Sequence, residues 1–222
     1  CWSRVSSLST EAIAVVPSAA LIQARKEISR MGGIALGNLR MAILSFFDPK
    51  ESRDEQVNEC EDTVNFLEHA ILSKLVELRT PDMHPKDLDQ VYRMTLTVSD
   101  MERLSDHATN IIEYAQLLRS GSASLSPEAQ KELRSMCQLA LESVELCLHI
   151  FEKEDYARFE EAEALEARVD AAKERLIQNH IRRLMASTCD PRGGVIFCDM
   201  VTDLERCSDH AINIAAALYS NL

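Results

Sequence analysis

Asp203-Leu-Glu-Arg-Cys-Ser-Asp-His-Ala-Ile-Asn-Ile214 is a second copy of Asp100-Met-Glu-Arg-Leu-Ser-Asp-His-Ala-Thr-Asn-Ile111, with nine of twelve positions identical at an offset of 203 − 100 = 103. The likeness does not stop at these stretches. Lys26-Glu27 and Met31 return as Lys131-Glu132 and Met136, Ala35-Leu36 as Ala140-Leu141, Phe46 as Phe151, and Glu61 with Val64 as Glu166 with Val169, all at 131 − 26 = 105. A two-residue change of offset between the second and third helical stretches costs little if a surface loop absorbs it. The chain therefore reads as a duplicated unit, joined near Ser120-Gly121-Ser122.

What each unit contains follows from its punctuation. All six prolines (Pro17, Pro49, Pro81, Pro85, Pro127, Pro191) fall between stretches of helical period, where a missing N–H and a restricted preceding residue do least harm. With Pro and Gly read as breaks, helices are expected near 18–47, 53–79, 86–119, 127–153, 156–187 and 195–220. Ser126-Pro127-Glu128 is a start signal: a capping hydroxyl, a proline in the first turn and an acid facing the helix dipole. Aromatics at 5% and six glycines leave little for sheets. The expected fold is all-α, two tandem three-helix bundles, with 1–17 a linker, 18–120 the first unit and 121–222 the second. Gly32, Gly33 and Gly37 interrupt the first helix where their repeat mates do not, which points to a neighbour's close approach rather than to a break.

Composition narrows the partners. Twenty-four basic residues against 36 acidic give a net charge of −12, a summed field that repels nucleic acid and anionic lipid and attracts cations. Seven cysteines without a C-x-x-C spacing suggest small apolar fillers in a reducing compartment. No stretch reaches the roughly 20 apolar residues of a membrane span. Cys1 stands where an initiator Met is expected, so the chain reads as a piece of something longer, and Trp2 in its first segment is at most a docking contact.

On a helix advancing about 100° per residue, Glu205 and Asp209 lie one turn apart in a polar stripe with Asp199, Asp203, Arg206 and His210, opposite an apolar face of Leu204, Cys207, Ala211, Ile214 and Leu218. Asp100, Glu102, Arg103, Asp106 and His107 repeat the layout. The middle helices carry Glu61-x-x-x-Asn65 and Glu166-x-x-x-Asp170. If middle and third helices are neighbours, carboxylates about 4–5 Å apart repel by roughly 3–4 kcal/mol per pair at an effective dielectric near 20. Protonation, Arg103 or Arg206, or a bound metal must offset this. An all-oxygen set suits Mg, Mn or Fe, and the absence of Glu-x-x-His weakens an oxidase reading. A solvated face and a buried polar network that fixes helix register stay open as alternatives. The duplication weighs against the first of these, since the polar positions persist while Leu104 becomes Cys207. His69, His84, His149 and His180 lie outside the motif and read as surface residues. Met31 and Met136 read as core.

The doubled D-x-E-R-x-S-D-H-A-x-N-I, each following E-x-x-V-N/D, resembles the PhoU family over about residues 20–220. That resemblance implies a six-helix fold and multinuclear metal sites, of Fe or Zn with Mn and Mg as further candidates. It also implies a regulatory, non-enzymatic role in phosphate uptake. Carried over by position, it gives Glu61, Glu102, Asp106, Glu166, Asp170, Glu205 and Asp209 as metal ligands, with Asp100 and Asp203 as further ones. Asn65 is a further candidate ligand, but as a neutral amide where the motif wants Asp it ligates more weakly, so the first cluster is expected to be the smaller or weaker, and His107 and His210 are expected to support rather than ligate. The segment Pro17-Ser-Ala-Ala-Leu-Ile-Gln-Ala-Arg-Lys-Glu-Ile-Ser-Arg-Met31 is most similar to the PhoU-like tail of bacterial sodium/phosphate cotransporters. This implies a domain tethered at the cytoplasmic face of the inner membrane that contacts transporter helices, meets phosphate through metal and pairs as a homodimer. A free-standing PhoU-type regulator and a metal-free coupling scaffold are the alternatives.

Overall fold

The computed structural model describes residues 17–48, 50, 52–81, 83–217 and 219; the expected linker 1–17, with Trp2, and Leu218 lie largely or wholly outside them. Six α-helices follow in chain order: α1 Pro17–Phe47, α2 Asp54–Glu77, α3 Pro85–Arg119, α4 Pro127–Lys153, α5 Phe159–Met185 and α6 Pro191–Ala216. Helices α1–α3 pack on one another, as do α4–α6, and the two bundles meet through α3 against α6 and α1 against α4. One continuous core runs through both. It holds repeat mates at equivalent places, including Met31 and Met136, Val64 and Val169, Leu104 and Cys207.

Starts are set by side-chain caps. Ser126 Oγ accepts from Ala129 N at 3.2 Å ahead of Pro127, and Asp190 Oδ1 accepts from Arg192 N at 3.1 Å ahead of Pro191. His84 Nδ1 does the same for Lys86 N at 3.2 Å. Two helix starts differ from the sequence reading by three residues or more. Tyr156–Arg158 forms a short 3-10 turn, so α5 begins at Phe159. Helix α6 begins at Pro191, not 195, because Gly193-Gly194 lies inside its first turns rather than breaking it. These glycines answer to crowding: a Cβ on Gly193 would fall 1.8 Å from the Ser124 carbonyl oxygen, and one on Gly194 2.5 Å from the His180 ring. Gly32 likewise has Leu148 and Met101 at 2.9 and 3.0 Å from its virtual Cβ, whereas Gly33 and Gly37 face open space.

His180 is accordingly not a surface residue. It is buried beneath Gly194 with its ring 5.4 Å from that of Phe197, and desolvation lowers its pKa. Cys137, Cys147 and Cys207 are buried fillers, with desolvation raising the first two thiols to about 12. No described helix is long and apolar enough to cross a membrane.

Candidate functional site

Helices α2 and α3 are consecutive and antiparallel, so residues near the middle of one face residues near the middle of the other; α5 and α6 repeat the arrangement. Along these two seams, ligand atoms of Glu61, Glu102 and Asp106 in the first unit, and of Glu166, Asp170 and Asp209 in the second, lie within 4.8 Å of one another. Each group draws on both helices of its seam, as the i, i+4 spacing of the motifs requires.

In the first unit Glu61 is the inner member. Desolvation by burial raises its pKa, and a hydrogen bond with Asp106 and repulsion from that carboxylate add to the rise, against hydrogen bonds with Ser105 and Asn65 that lower it. Ser105 in turn accepts from buried Asn38 Nδ2 at 2.9 Å, so a polar layer runs from the core up to the seam. The mates of that pair, Ser143 and Ser208, bond at 2.8 Å in the second unit. Glu61 Oε2 is buried without a hydrogen-bond partner. Glu102 is pushed up to about 7, first by desolvation and then by Asp106, Glu68 and Glu61, with Arg103 opposing. Asn65 thus enters as a hydrogen-bond donor to Glu61.

The second unit is balanced differently. Glu166 and Asp209 are both raised, mainly by desolvation and then by their acidic neighbours. Glu205, however, is held by Lys173, whose Nζ lies 2.6 Å from Oε1, and the ammonium partly offsets the rise at Asp209. Sequence reasoning offered Arg206 as one of several ways to offset the charge and missed Lys173. The signal was available, since Lys173 is the repeat mate of Glu68 at the same offset of 173 − 68 = 105.

Asp100 and Asp203 do not join either group. They cross the seam between the bundles: His107 Nδ1–H donates to Asp203 Oδ1 at 3.0 Å and His210 Nδ1–H to Asp100 Oδ1 at 2.9 Å. The two imidazoles stack with ring centroids 5.8 Å apart. Tyr114 adds a hydroxyl donor to Asp203 Oδ2 at 2.8 Å, so both oxygens of that buried carboxylate are taken. These four motif residues fasten α3 to α6 in antiparallel register, with the first unit's histidine on the second unit's aspartate and the reverse. The stripe read as one polar face from the sequence is therefore two: one edge toward the acidic seam, the other toward the partner bundle.

The donor chemistry fits a hard cation. Each group supplies carboxylate oxygens alone, and in the first unit these include a buried oxygen without a donor and a carboxyl raised by desolvation and then by its acidic neighbours.

Comparison with known proteins adds the following. The PhoU domain profile matches residues 28–115 and 133–218. The chain is 27% identical over 194 residues to a phosphate-specific transport system accessory protein PhoU homolog of Xylella fastidiosa, covering 85% of this chain and 78% of that protein. It is 28% identical over 207 residues to the protein of the same name from Pseudomonas aeruginosa, covering 89% and 81%. Among solved structures it superposes on PhoU from Pseudomonas aeruginosa with a TM-score of 0.82 at 24% identity, covering 90% of this chain and 95% of that one. The phosphate transport system regulatory protein PhoU from Streptococcus pneumoniae gives 0.80 at 20% identity, covering 91% and 95%. The six-helix, all-α fold is that of these structures.

Proposed function

The chain belongs to the PhoU family, and from that premise we propose that it regulates phosphate transport, using its two acidic seams as cation sites. The observation that carries this reading is the repeated convergence of carboxylates from adjacent helices, Glu61 with Glu102 and Asp106, and Glu166 with Asp170 and Asp209. A bound cation would supply positive charge that offsets their repulsion and ties the two helices of each seam together. Glu205 joins the second site once Lys173 releases it, and Asn65 contributes to the first by holding Glu61. Asp100 and Asp203 keep the two bundles in register.

The accessory-protein name borne by the relatives favours a regulator acting on a separate transporter over the cytoplasmic domain of a sodium/phosphate cotransporter. A metal-free scaffold has its own support in the Lys173–Glu205 pair and the crossed Asp–His bonds, which satisfy charge without an ion.

Tag-free protein analysed by mass spectrometry is expected to carry Fe, Mn, Mg or Zn. Glu102→Ala with Asp106→Ala should weaken Mn²⁺ binding at the first seam by about 100-fold or more, beyond what loss of a supporting group costs. The same variant should deregulate phosphate uptake in cells. Metal-free wild-type protein whose melting temperature ignores added cation would leave the scaffold reading in place of the cation one.

A further inference from the structure

The two helical hairpins end in loops, α2–α3 in the first unit and α5–α6 in the second. Each end exposes an apolar pair at matching positions: Val76 (64% exposed) with Tyr92 (62%), and their mates Ile181 with Val195 (61%). Val76 lies 15 residues beyond Glu61 and Tyr92 14 residues before Asp106, the same spacings that relate Ile181 to Glu166 and Val195 to Asp209. At 1.5 Å per residue, both pairs sit about 20 Å along the seam from the acidic groups.

The charges beside these pairs have diverged. Glu77 and Asp89 flank the first pair and are neutralised locally, by Lys74 at 2.7 Å and Arg93 at 2.7 Å. Their repeat mates are Arg182 and Arg192. With Arg175 these two arginines are exposed and form no ion pair among the described residues. From Arg175 to Arg192 the only carboxylate is Asp190, which is engaged by Ser124 N at 2.8 Å and Arg192 N at 3.1 Å. Arg183 is spent on Glu132. Leu184 and Met185, the latter 83% exposed, enlarge the apolar surface where the first unit has Arg79 and Thr80.

We propose that the α5–α6 hairpin end docks on an anionic membrane surface, with Met185, Ile181 and Val195 entering the headgroup–acyl boundary and Arg182 and Arg192 meeting lipid phosphates. The net charge of −12 is an average over the chain. The acidic seam lies about two Debye lengths from this end at physiological salt, so its repulsion is screened there. Apolar insertion and arginine–phosphate attraction are the two contributions interfacial anchors combine.

Co-sedimentation of the full chain with vesicles tests this, comparing phosphatidylcholine:phosphatidylglycerol at roughly three to one with pure phosphatidylcholine in about 0.1 M NaCl. Binding should be several-fold greater on the anionic vesicles and fall about fivefold for each arginine lost. Arg182→Gln with Arg192→Gln, and Met185→Asp with Val195→Asp, should each lower it, while Val76→Asp with Tyr92→Asp should not. All these side chains are exposed, and unchanged melting curves would confirm intact folds. Equal binding to both vesicle types, tip variants that bind like wild type, or protein left in the supernatant throughout would overturn the proposal; the last would point to a protein partner.

Discussion

The two acidic seams occupy equivalent places on the same scaffold yet are balanced by different means. In the first, Asn65 and Glu68 stand where the second has Asp170 and Lys173. The first unit thus replaces a carboxylate by an amide and leaves its remaining acids without a lysine. Glu102 rises to about 7 and Glu61 keeps a buried oxygen unpartnered. The second unit keeps all four motif acids and neutralises one of them internally. Duplication has preserved the backbone that brings α2 to α3 and α5 to α6, while the charge carried by each seam has been free to diverge. Under the cation-site reading proposed above, the first seam is the one expected to draw more on an external cation, although its motif departs further from the family pattern.

The packing beneath the seams diverges too, and there the largest effect is expected. Gly194 makes room for the His180 ring, whereas the matching positions of the first unit hold Val91 and Leu75, both buried. Gly194→Val should therefore destabilise by about 2–3 kcal/mol in denaturant unfolding, because the added carbons must displace an imidazole in a filled core. His180→Ala in the same chain should recover much of that loss, since it vacates the space. If the single substitution is neutral, the unequal packing of the two units is not what fixes these residues.

A middle-sized effect distinguishes the seams directly. Lys173→Glu gives the second unit the acid found at Glu68 and frees Glu205, so its Mn²⁺ affinity should rise about tenfold, and Glu68→Lys should lower that of the first unit to a similar degree. Calorimetric titration of wild type should show two unequal sites, the tighter one weakened about tenfold by Glu68→Lys. Superimposable isotherms for wild type and Lys173→Glu would mean that the lysine does not control the site.

The fold was legible because period, proline and repeat agreed: six helices and their pairing follow from Glu61/Glu166, the doubled D-x-E-R-x-S-D-H motif and the capped prolines. What stayed hidden was direction around the helix. Asp100 and Glu102 are two residues apart, about 200° around the axis, so one faces the partner bundle while the other faces its own seam. A stripe read by eye merges them. Which helix lies on which side is a tertiary fact, and it assigned Asp203 to His107 and Tyr114 rather than to Glu205. His180 was misplaced for a related reason: nothing in its local pattern shows that a glycine from α6 will sit against it. Lys173, by contrast, could have been found by extending the repeat comparison three residues past Asp170.

The smallest effect concerns protons. Glu102 has a folded-state pKa of about 7 against an ordinary value of 4.5. A carboxyl raised in this way binds more protons when folded than when unfolded across that interval, so its contribution favours the folded state below about pH 4.5 and is lost as pH climbs to about 7. Glu61, Glu166 and Asp209 are shifted in the same direction and should add to the trend. The melting temperature of cation-free protein should thus decline between those limits, and Glu102→Gln should flatten the decline more than Asp209→Asn, because Lys173 already relieves the second seam. Mg²⁺ should restore the wild-type melting temperature at neutral pH and do little near pH 4.5, where protons occupy the carboxylates it would need. Equal flattening by the two substitutions would show that the seams are electrostatically alike despite Lys173, and the unequal cation demand inferred above would have to be abandoned.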